Sequence, residues 1–404
     1  MTEKINKTGN IAIVIPTFNR KISFQRLLHS IDNAFFSKNR KVDLIISIDY
    51  SQDNSCSIIA EEFNWEFGEK KIIKHEFNLG LKKHILFCGD LVKDYDAIIM
   101  LEDDLWVSPN FYNYATQSYE FFKDDPGIGQ ISLYAYQYDE NSFSKFFPII
   151  NGKDNYFMQI PSSWGQLWTK SQWERFRKSF DQGELDIMED DLLPNKVIYK
   201  WSSASWKKHF YKYLVQNNLY VVYPYYSLTT NFADAGTNFS DSVSFYQTHL
   251  NSNLNKFDFC VLDEKSIIYD YNFELCFNSV KHFVNFDSDI TSVELDLNGQ
   301  KDLSKVQAEY LISTKKCNKP IKSFGSYLLP QELNIFYNTK GEFYVLAKTS
   351  DFVNEITWDK VNERNIQFIP TSLKNFISKK IKFKYESSFL IRNFLKMKTI
   401  LRMN

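Results

Sequence analysis

At 404 residues, with 44% hydrophobic and 17% aromatic content, the chain has more apolar material than one ordinary core uses, which points to two domains and excludes a disordered polymer. A formal net charge of −1 excludes bulk nucleic-acid binding, which needs an overall basic surface. The five cysteines (Cys56, Cys88, Cys260, Cys276, Cys317) are odd in number, scattered and without CxxC spacing, so reduced thiols are expected rather than a disulfide framework or a zinc site.

The chain opens with alternating strand and helix patterns. Ile11 to Ile15 is a continuous apolar run, as expected of a strand covered on both faces. Phe24, Leu27, Leu28, Ile31 and Phe35 then form one helical stripe. Val42 to Asp49 reads as the second strand, Ser57 to Phe63 as a short helix and Lys71 to Phe77 as the third strand. Leu81 to Val92 follows as a helix, Ala97 to Leu101 as the fourth strand and Ile128 to Tyr136 as the fifth. This alternation implies a mostly parallel, doubly wound sheet.

Glu102-Asp103-Asp104, directly after the fourth strand, is the most informative feature. Three adjacent carboxylates repel one another and resist desolvation beside a buried strand. A hard divalent cation such as Mg²⁺ or Mn²⁺ relieves both penalties. Ser108-Pro109 reads as an N-cap with proline at the first helical position, and Phe111, Ala115, Tyr119 and Phe122 recur at helical spacing. The acids therefore sit in a strand-to-helix connection, where open α/β sheets bind ligands.

From Asn151 to Ser240 the sequence becomes aromatic-rich and less periodic, with Trp164, Trp168, Trp173, Trp201 and Trp206, a composition that suits either a pocket wall or structural packing. Asp241 to Lys256 is polar and reads as a linker. Beyond it, Ser292 to Leu297 and Glu342 to Ala347 alternate as strands of a small module. Lys374 to Arg402 holds nine Lys/Arg against a single Glu386, interspersed with apolar residues, and reads as an amphipathic basic tail able to lie on anionic lipid or to pack on protein. The expected organisation is a catalytic domain over 1–245, an α+β accessory module over 246–370 and the tail over 371–404.

Other features fall where strands of a parallel sheet end. Pro16-Thr17-Phe18-Asn19-Arg20 follows the first strand and places a cation at its edge, Asp49 ends the second, and Asn78-Leu79-Gly80-Leu81 follows the third, with a glycine that permits close approach to a ligand. With the acidic triplet they suit a nucleotide diphosphate, since a cation and Arg neutralise phosphates and an Asp accepts from a base N–H. These segments also carry a likeness. IVIPTFNR, SIDYSQD, NLGL and LEDDLWVSPNFYNY resemble, in order and spacing, the motifs of GT-A-fold glycosyltransferases, the group that includes bacterial family-2-like enzymes and N-acetylglucosaminyltransferase I. Ser163-Trp164-Gly165-Gln166-Leu167-Trp168 resembles the WG acceptor-loop motif, and Leu228 to Phe232 with Gly236-Thr237-Asn238 resembles the segment closing the catalytic domain.

The resemblance implies Mn²⁺ or Mg²⁺ on Asp104 and a nucleotide-sugar donor, most simply UDP-linked. Its candidate contacts are Pro16, Thr17, Arg20, Asp49, Gly80, Lys82, Glu102, Asp103, Trp164 and Gly165. It also implies an inverting transfer to a glycan or lipid-linked glycan, as in bacterial surface polysaccharide synthesis. An inverting transferase needs a base for the acceptor hydroxyl. The matching segment reads Trp201-Ser202-Ser203-Ala204-Ser205-Trp206, without an acid, which leaves Asp191, in the run Glu189-Asp190-Asp191, or Asp234 as candidates. His75, His84 and His249 read as packing or surface residues, with His249 alone positioned as a further metal contact. Two rival readings are a sugar-nucleotide nucleotidyltransferase, which would want a glycine-rich loop after the first strand, and a catalytically silent glycan-binding protein. The opening Met1-Thr2-Glu3-Lys4 lacks an apolar signal core and no stretch is long enough to span a bilayer, so a cytoplasmic location is expected, peripheral at the inner membrane face if the tail binds lipid. Oligomeric state is not legible.

Overall fold

A computed structural model describes residues 9–37, 40–142, 144–232, 234, 246–252, 256–277, 290, 292–355, 357 and 360. The basic tail and Gly236-Thr237-Asn238 lie outside the described residues. Four strands, β1 (Ile11–Thr17), β2 (Leu44–Ile48), β3 (Lys70–Lys74) and β4 (Ala97–Met100), pair in parallel in the order β4-β1-β2-β3. β1, β2 and β4 are buried along their whole length, whereas β3, KKIIK, keeps charge on the open edge. Alternation within β1 shows why both faces must be covered. Ile11, Ile13 and Ile15 enter one core with Phe24, Leu27 and Ile31, while Ala12 and Val14 enter the other with Ile85 and Trp168.

The first of these cores is built by helices α1 (Lys21–Asp32), α2 (Ser55–Glu62) and α4 (Phe111–Phe122), and the second by α3 (Gly80–Asp90), α5 (Lys170–Asp181) and α7 (Trp206–Gln216). Between α5 and α7 lies the short α6 (Asn195–Lys200). Phe35, expected on the α1 stripe, falls beyond the helix end and is 62% exposed. The start of α4 also differs: Asn110 stands at its N-cap, and Ser108 closes the preceding turn by accepting the Asn110 N–H on Oγ at 3.1 Å. α5 begins with a capping box in which Thr169 and Gln172 satisfy each other's backbone N–H groups.

The sheet continues past β4 through β8 (Gln166–Thr169), β6 (Ile128–Ser132), β9 (Tyr220–Pro224), β7 (Asn155–Met158) and β11 (Ile268–Tyr269), nine strands in all. β8 runs antiparallel to both β4 and β6. A two-stranded ribbon, β5 (Leu105–Val107) with β10 (Thr229–Asn231), was not anticipated and proves decisive for the site. The separate four-stranded sheet has the order β12 (Val293–Asp296), β13 (Tyr310–Ser313), β15 (Tyr344–Lys348), β14 (Lys322–Phe324).

Contacts run across the expected boundary at 245. Phe257 and Phe259 pack with Tyr114 and Phe122 of α4, and β11 is itself a strand of the large sheet. The supposed linker is likewise tied down where it is described, since Asn110 donates to the Ser252 carbonyl at 3.0 Å and Asn251 N–H to that of Ser227 at 2.8 Å. Val293, Leu295, Ile312, Tyr344 and Leu346 of the small sheet join the same apolar core as Tyr269 and Trp168. A buried ionic knot adds to this joint: the Lys301 ammonium sits 2.6 Å from Asp270, just after β11, and 3.0 Å from Glu294 of β12.

None of the five cysteines is in a disulfide. Among the described residues no helix is long and apolar enough to cross a membrane.

Candidate active site

The site is assembled by strand register. β1 and β4 pair with Val14 opposite Met100, and the Leu101 N–H donates to the Val14 carbonyl at 2.9 Å. The residues that follow each strand therefore emerge side by side at the carboxyl edge. Thr17 Oγ1 donates to Asp103 Oδ2 at 2.8 Å. Arg20, at the N-cap position of α1, turns its side chain back and pairs with both acids, Nη2 with Asp103 Oδ1 and Nη1 with Asp104 Oδ2 at 2.9 Å. The ribbon supplies the third partner. Because Asn231 lies opposite Leu105, its Nδ2 donates to Asp104 Oδ1 at 3.1 Å, and the Phe232 N–H donates to the Asp104 carbonyl at 3.2 Å.

Asp103 and Asp104 are 3% and 7% exposed, so their charge must be met by protein. Burial raises the Asp103 pKa, with Arg20 pulling against it. Burial, and next the charge of Asp104, push Glu102 up to about 8. Arg20 responds in the opposite sense: although burial disfavours its charge, Asp103 and Asp104 raise its pKa. Within the cluster one guanidinium faces both aspartates.

These residues fit a divalent cation. Mg²⁺ and Mn²⁺ are commonly held by one or two carboxylates, with substrate phosphates completing the shell, and Asp103 and Asp104 aim their oxygens at a single cationic group. Among the described residues no group of three or more His, Cys, Asp or Glu is placed to hold a metal. His249, the further metal candidate, instead meets Gln137 at 2.8 Å.

Asp49 belongs to a second group. Its buried carboxylate accepts the N–H groups of Leu79 at 2.8 Å, Gly80 at 3.1 Å and Tyr50 at 2.9 Å, which ties the end of β2 to the first turn of α3. Gly80 needs its lack of a side chain here because its φ is +70°. Pro16 lies within β1 opposite Ser47. Lys82 reaches away from the triplet, to the Ser203 carbonyl at 2.6 Å.

Trp164 and Gly165 form the third group, across from the acids. The Trp164 ring packs against Tyr134 at 4.8 Å and Tyr246 at 4.7 Å. Gly165 has φ +90°, and its carbonyl accepts from Leu133 N–H at 2.9 Å. Sequence reasoning missed Lys207, the residue after Trp206, whose buried ammonium lies 5.3 Å from the Trp164 ring centre and 3.7 Å from Glu140, and lowers the pKa of Glu102. It missed Glu140 too, since neither residue belongs to a pattern; only the fold brings them to Trp164.

Neither candidate base is free. Asp234 pairs with Arg26 and accepts from Ser23 Oγ at 2.6 Å; burial would raise its pKa, but Arg26 and Ser23 hold it below the usual carboxylate range. Asp191 accepts the Met188 N–H at 2.8 Å and faces Lys212 at 3.0 Å, closing a turn on which Lys305 of the C-terminal module docks. A carboxylate committed to a cation or to its own turn is poorly placed to take a proton.

A doubly wound sheet with paired acids, an arginine and an aromatic loop at its carboxyl edge is the arrangement of a GT-A-type glycosyltransferase. Residues 12–179 match the family model Glycosyl transferase family 2. The chain is also similar to the mannosyltransferase PcManGT from Pyrobaculum calidifontis, in complex with GDP-Man and Mn²⁺, at 14% identity and TM-score 0.31, over 42% of this chain and 47% of that one. Residues 1–349 of TarS from S. aureus are similar in the UDP complex at 12% identity and TM-score 0.35, over 53% of this chain and 60% of that one. The UDP-GlcNAc complex of the same protein gives 14% identity and TM-score 0.34, over 53% and 58%. The chain thus spans about half the length of these structures.

Proposed function

We propose that the protein transfers a sugar from a nucleotide-sugar donor, UDP-linked, to a glycan hydroxyl, with Mn²⁺ or Mg²⁺ on Asp104 and inversion at the anomeric carbon. The observation that carries this reading is the buried Asp103–Asp104 pair at the end of β4, held by Thr17, Arg20 and Asn231 within a family 2 segment. When bound, the cation supplies Lewis-acid stabilisation of the charge that builds on the departing diphosphate.

The chain's own groups divide the remaining work. Pro16, Thr17, Asp49, Gly80 and Lys82 shape the nucleotide side, with Asp49 holding the loop after β3 rigidly enough to present its backbone. Glu102 and Asp103 face the ribose and the cation's water. Trp164, placed by the left-handed turn at Gly165, walls the sugar and excludes water. With Asp191 and Asp234 committed elsewhere, Glu140 is the acid on the acceptor side. Its carboxylate lies 3.7 Å from the Lys207 ammonium, which itself lies 5.3 Å from the Trp164 ring centre. The basic tail over 374–402 would bring this site to an anionic membrane where lipid-linked glycans for surface polysaccharide are built. Unchanged vesicle partitioning after deletion of 374–404 would remove that part.

A panel of UDP-, GDP- and dTDP-sugars tests the donor reading by thermal stabilisation with and without Mn²⁺, because a ligand bound only to the folded state raises Tm. Stabilisation by UDP-sugars that needs Mn²⁺ and is lost in Asp104→Ala is expected. No stabilisation by any donor would overturn the reading, as would full transfer activity in Asp104→Ala.

A further inference from the structure

All four carboxylate oxygens of Asp103 and Asp104 have a partner in the ligand-free protein: Thr17 and Arg20 on Asp103, Asn231 and Arg20 on Asp104. Thr17 and Asn231 are neutral and sit within β1 and β10, so they can remain as the load changes. Arg20 is different. It carries the charge, its backbone is anchored by the Phe24 N–H at 2.9 Å, and its long side chain is 29% exposed at the mouth of the cluster. It can swing out without moving α1.

We propose that Arg20 is a counter-ion that holds the cation position between Asp103 and Asp104 and hands Asp104 over when a divalent ion arrives with a diphosphate, its guanidinium then turning to the phosphate oxygens. The inference rests on the function proposed above. A guanidinium on two buried carboxylates stores the site in a partly neutralised form, so a divalent ion alone must break a charge-assisted bond to enter. An ion carried in with a diphosphate meets no such net loss, because the released fork is matched to phosphate. Loading is thereby coupled: the empty site discriminates against free metal and accepts metal and nucleotide together.

The test is Mn²⁺ titration followed by the EPR signal of free ion, with and without UDP, on wild type, Arg20→Gln and Arg20→Lys. Removing a charged hydrogen bond of about 1.5–3 kcal/mol from the competition corresponds to roughly 10- to 100-fold tighter Mn²⁺ binding by Arg20→Gln without nucleotide. The same variant should bind UDP more weakly than wild type at saturating Mn²⁺, and Arg20→Lys should fall between the two in both measurements. Arg26→Gln, which removes the cation paired with Asp234, should leave Mn²⁺ affinity unchanged. Wild type that binds Mn²⁺ with UDP while Arg20→Gln and Arg20→Lys bind free Mn²⁺ no more tightly refutes the counter-ion role and leaves the proposed function standing. Wild type that takes up neither Mn²⁺ nor UDP under any condition removes both.

Discussion

Gly165→Ala offers a sharp test of how the aromatic wall is built, because its cost separates into two parts. The backbone part comes from φ +90°, a region costing an L-residue about 1–2 kcal/mol. The steric part comes from a new Cβ that would lie 2.6 Å from Thr229 Cγ2, 3.0 Å from Thr229 Oγ1 and 3.2 Å from Leu133 Cβ. Thr229 cannot retreat cheaply, since it is a β10 residue paired with Val107 and its hydroxyl donates to the Trp164 carbonyl at 2.5 Å. Overpacking of this kind costs about 1–3 kcal/mol, so the substitution should destabilise by about 2–5 kcal/mol in urea unfolding followed by circular dichroism. Thr229→Ser deletes the clashing methyl and keeps the hydroxyl. In that background Gly165→Ala should cost the backbone part and the milder contacts with the hydroxyl and Leu133, a coupling of about 1–2 kcal/mol in the double-mutant cycle. Additive effects of the two changes would refute the packing argument. A Gly165→Ala protein as stable as wild type would refute the backbone argument as well.

Three further outcomes follow from the same geometry. Glu140→Gln should lower transfer by about 10²–10⁴-fold while leaving Mn²⁺-dependent nucleotide binding intact; equal loss of both would make Glu140 a structural residue. His84, buried against Ser47 at 2.8 Å, has its pKa lowered to about 4 by desolvation, with His75 assisting and Asp49 opposing. The unfolded chain then binds the proton first, so stability should fall by ~2–3 kcal/mol as pH drops from about 6.5 towards 4, and His84→Gln should flatten this part of the profile. Lys301→Met would strand Asp270 and Glu294 without their cation and should cost about 3–5 kcal/mol, read as a lower urea midpoint; an unchanged midpoint would show that the ionic knot adds nothing to the joint.

What could be read directly from the sequence was whatever depends on near neighbours. The strands β1, β2 and β4 are continuous apolar runs, and any residue directly after such a run in a parallel sheet must lie at the carboxyl edge, so Thr17, Arg20 and the acidic triplet could be grouped before any coordinates. The ribbon could not be found this way. Leu-Trp-Val and Thr-Thr-Asn are too short to show a period, and Asn231 lies 127 positions from the aspartate it contacts. Glu140 comes from a turn and Lys207 from the start of α7, and they share no spacing. Asp191 and Asp234 failed as free bases for a related reason: residue type was visible in the sequence, but the Lys212 and Arg26 that occupy them were not. Asp49 shows the same limit, because two of the three backbone N–H groups it accepts, those of Leu79 and Gly80, are supplied by a turn whose course no local pattern reveals.

The common core beneath β11 and the C-terminal sheet has a practical corollary for engineering. A chimera made by cutting at residue 245 would carry off Phe257, Phe259 and Ile268–Tyr269, peeling an edge strand and two stacked rings from the host. The graft would arrive with Asp270, Glu294 and Lys301 together but with β11 parted from β7. Specificity swaps in this protein should therefore exchange loops within the scaffold, leaving the seam at 256–277 intact.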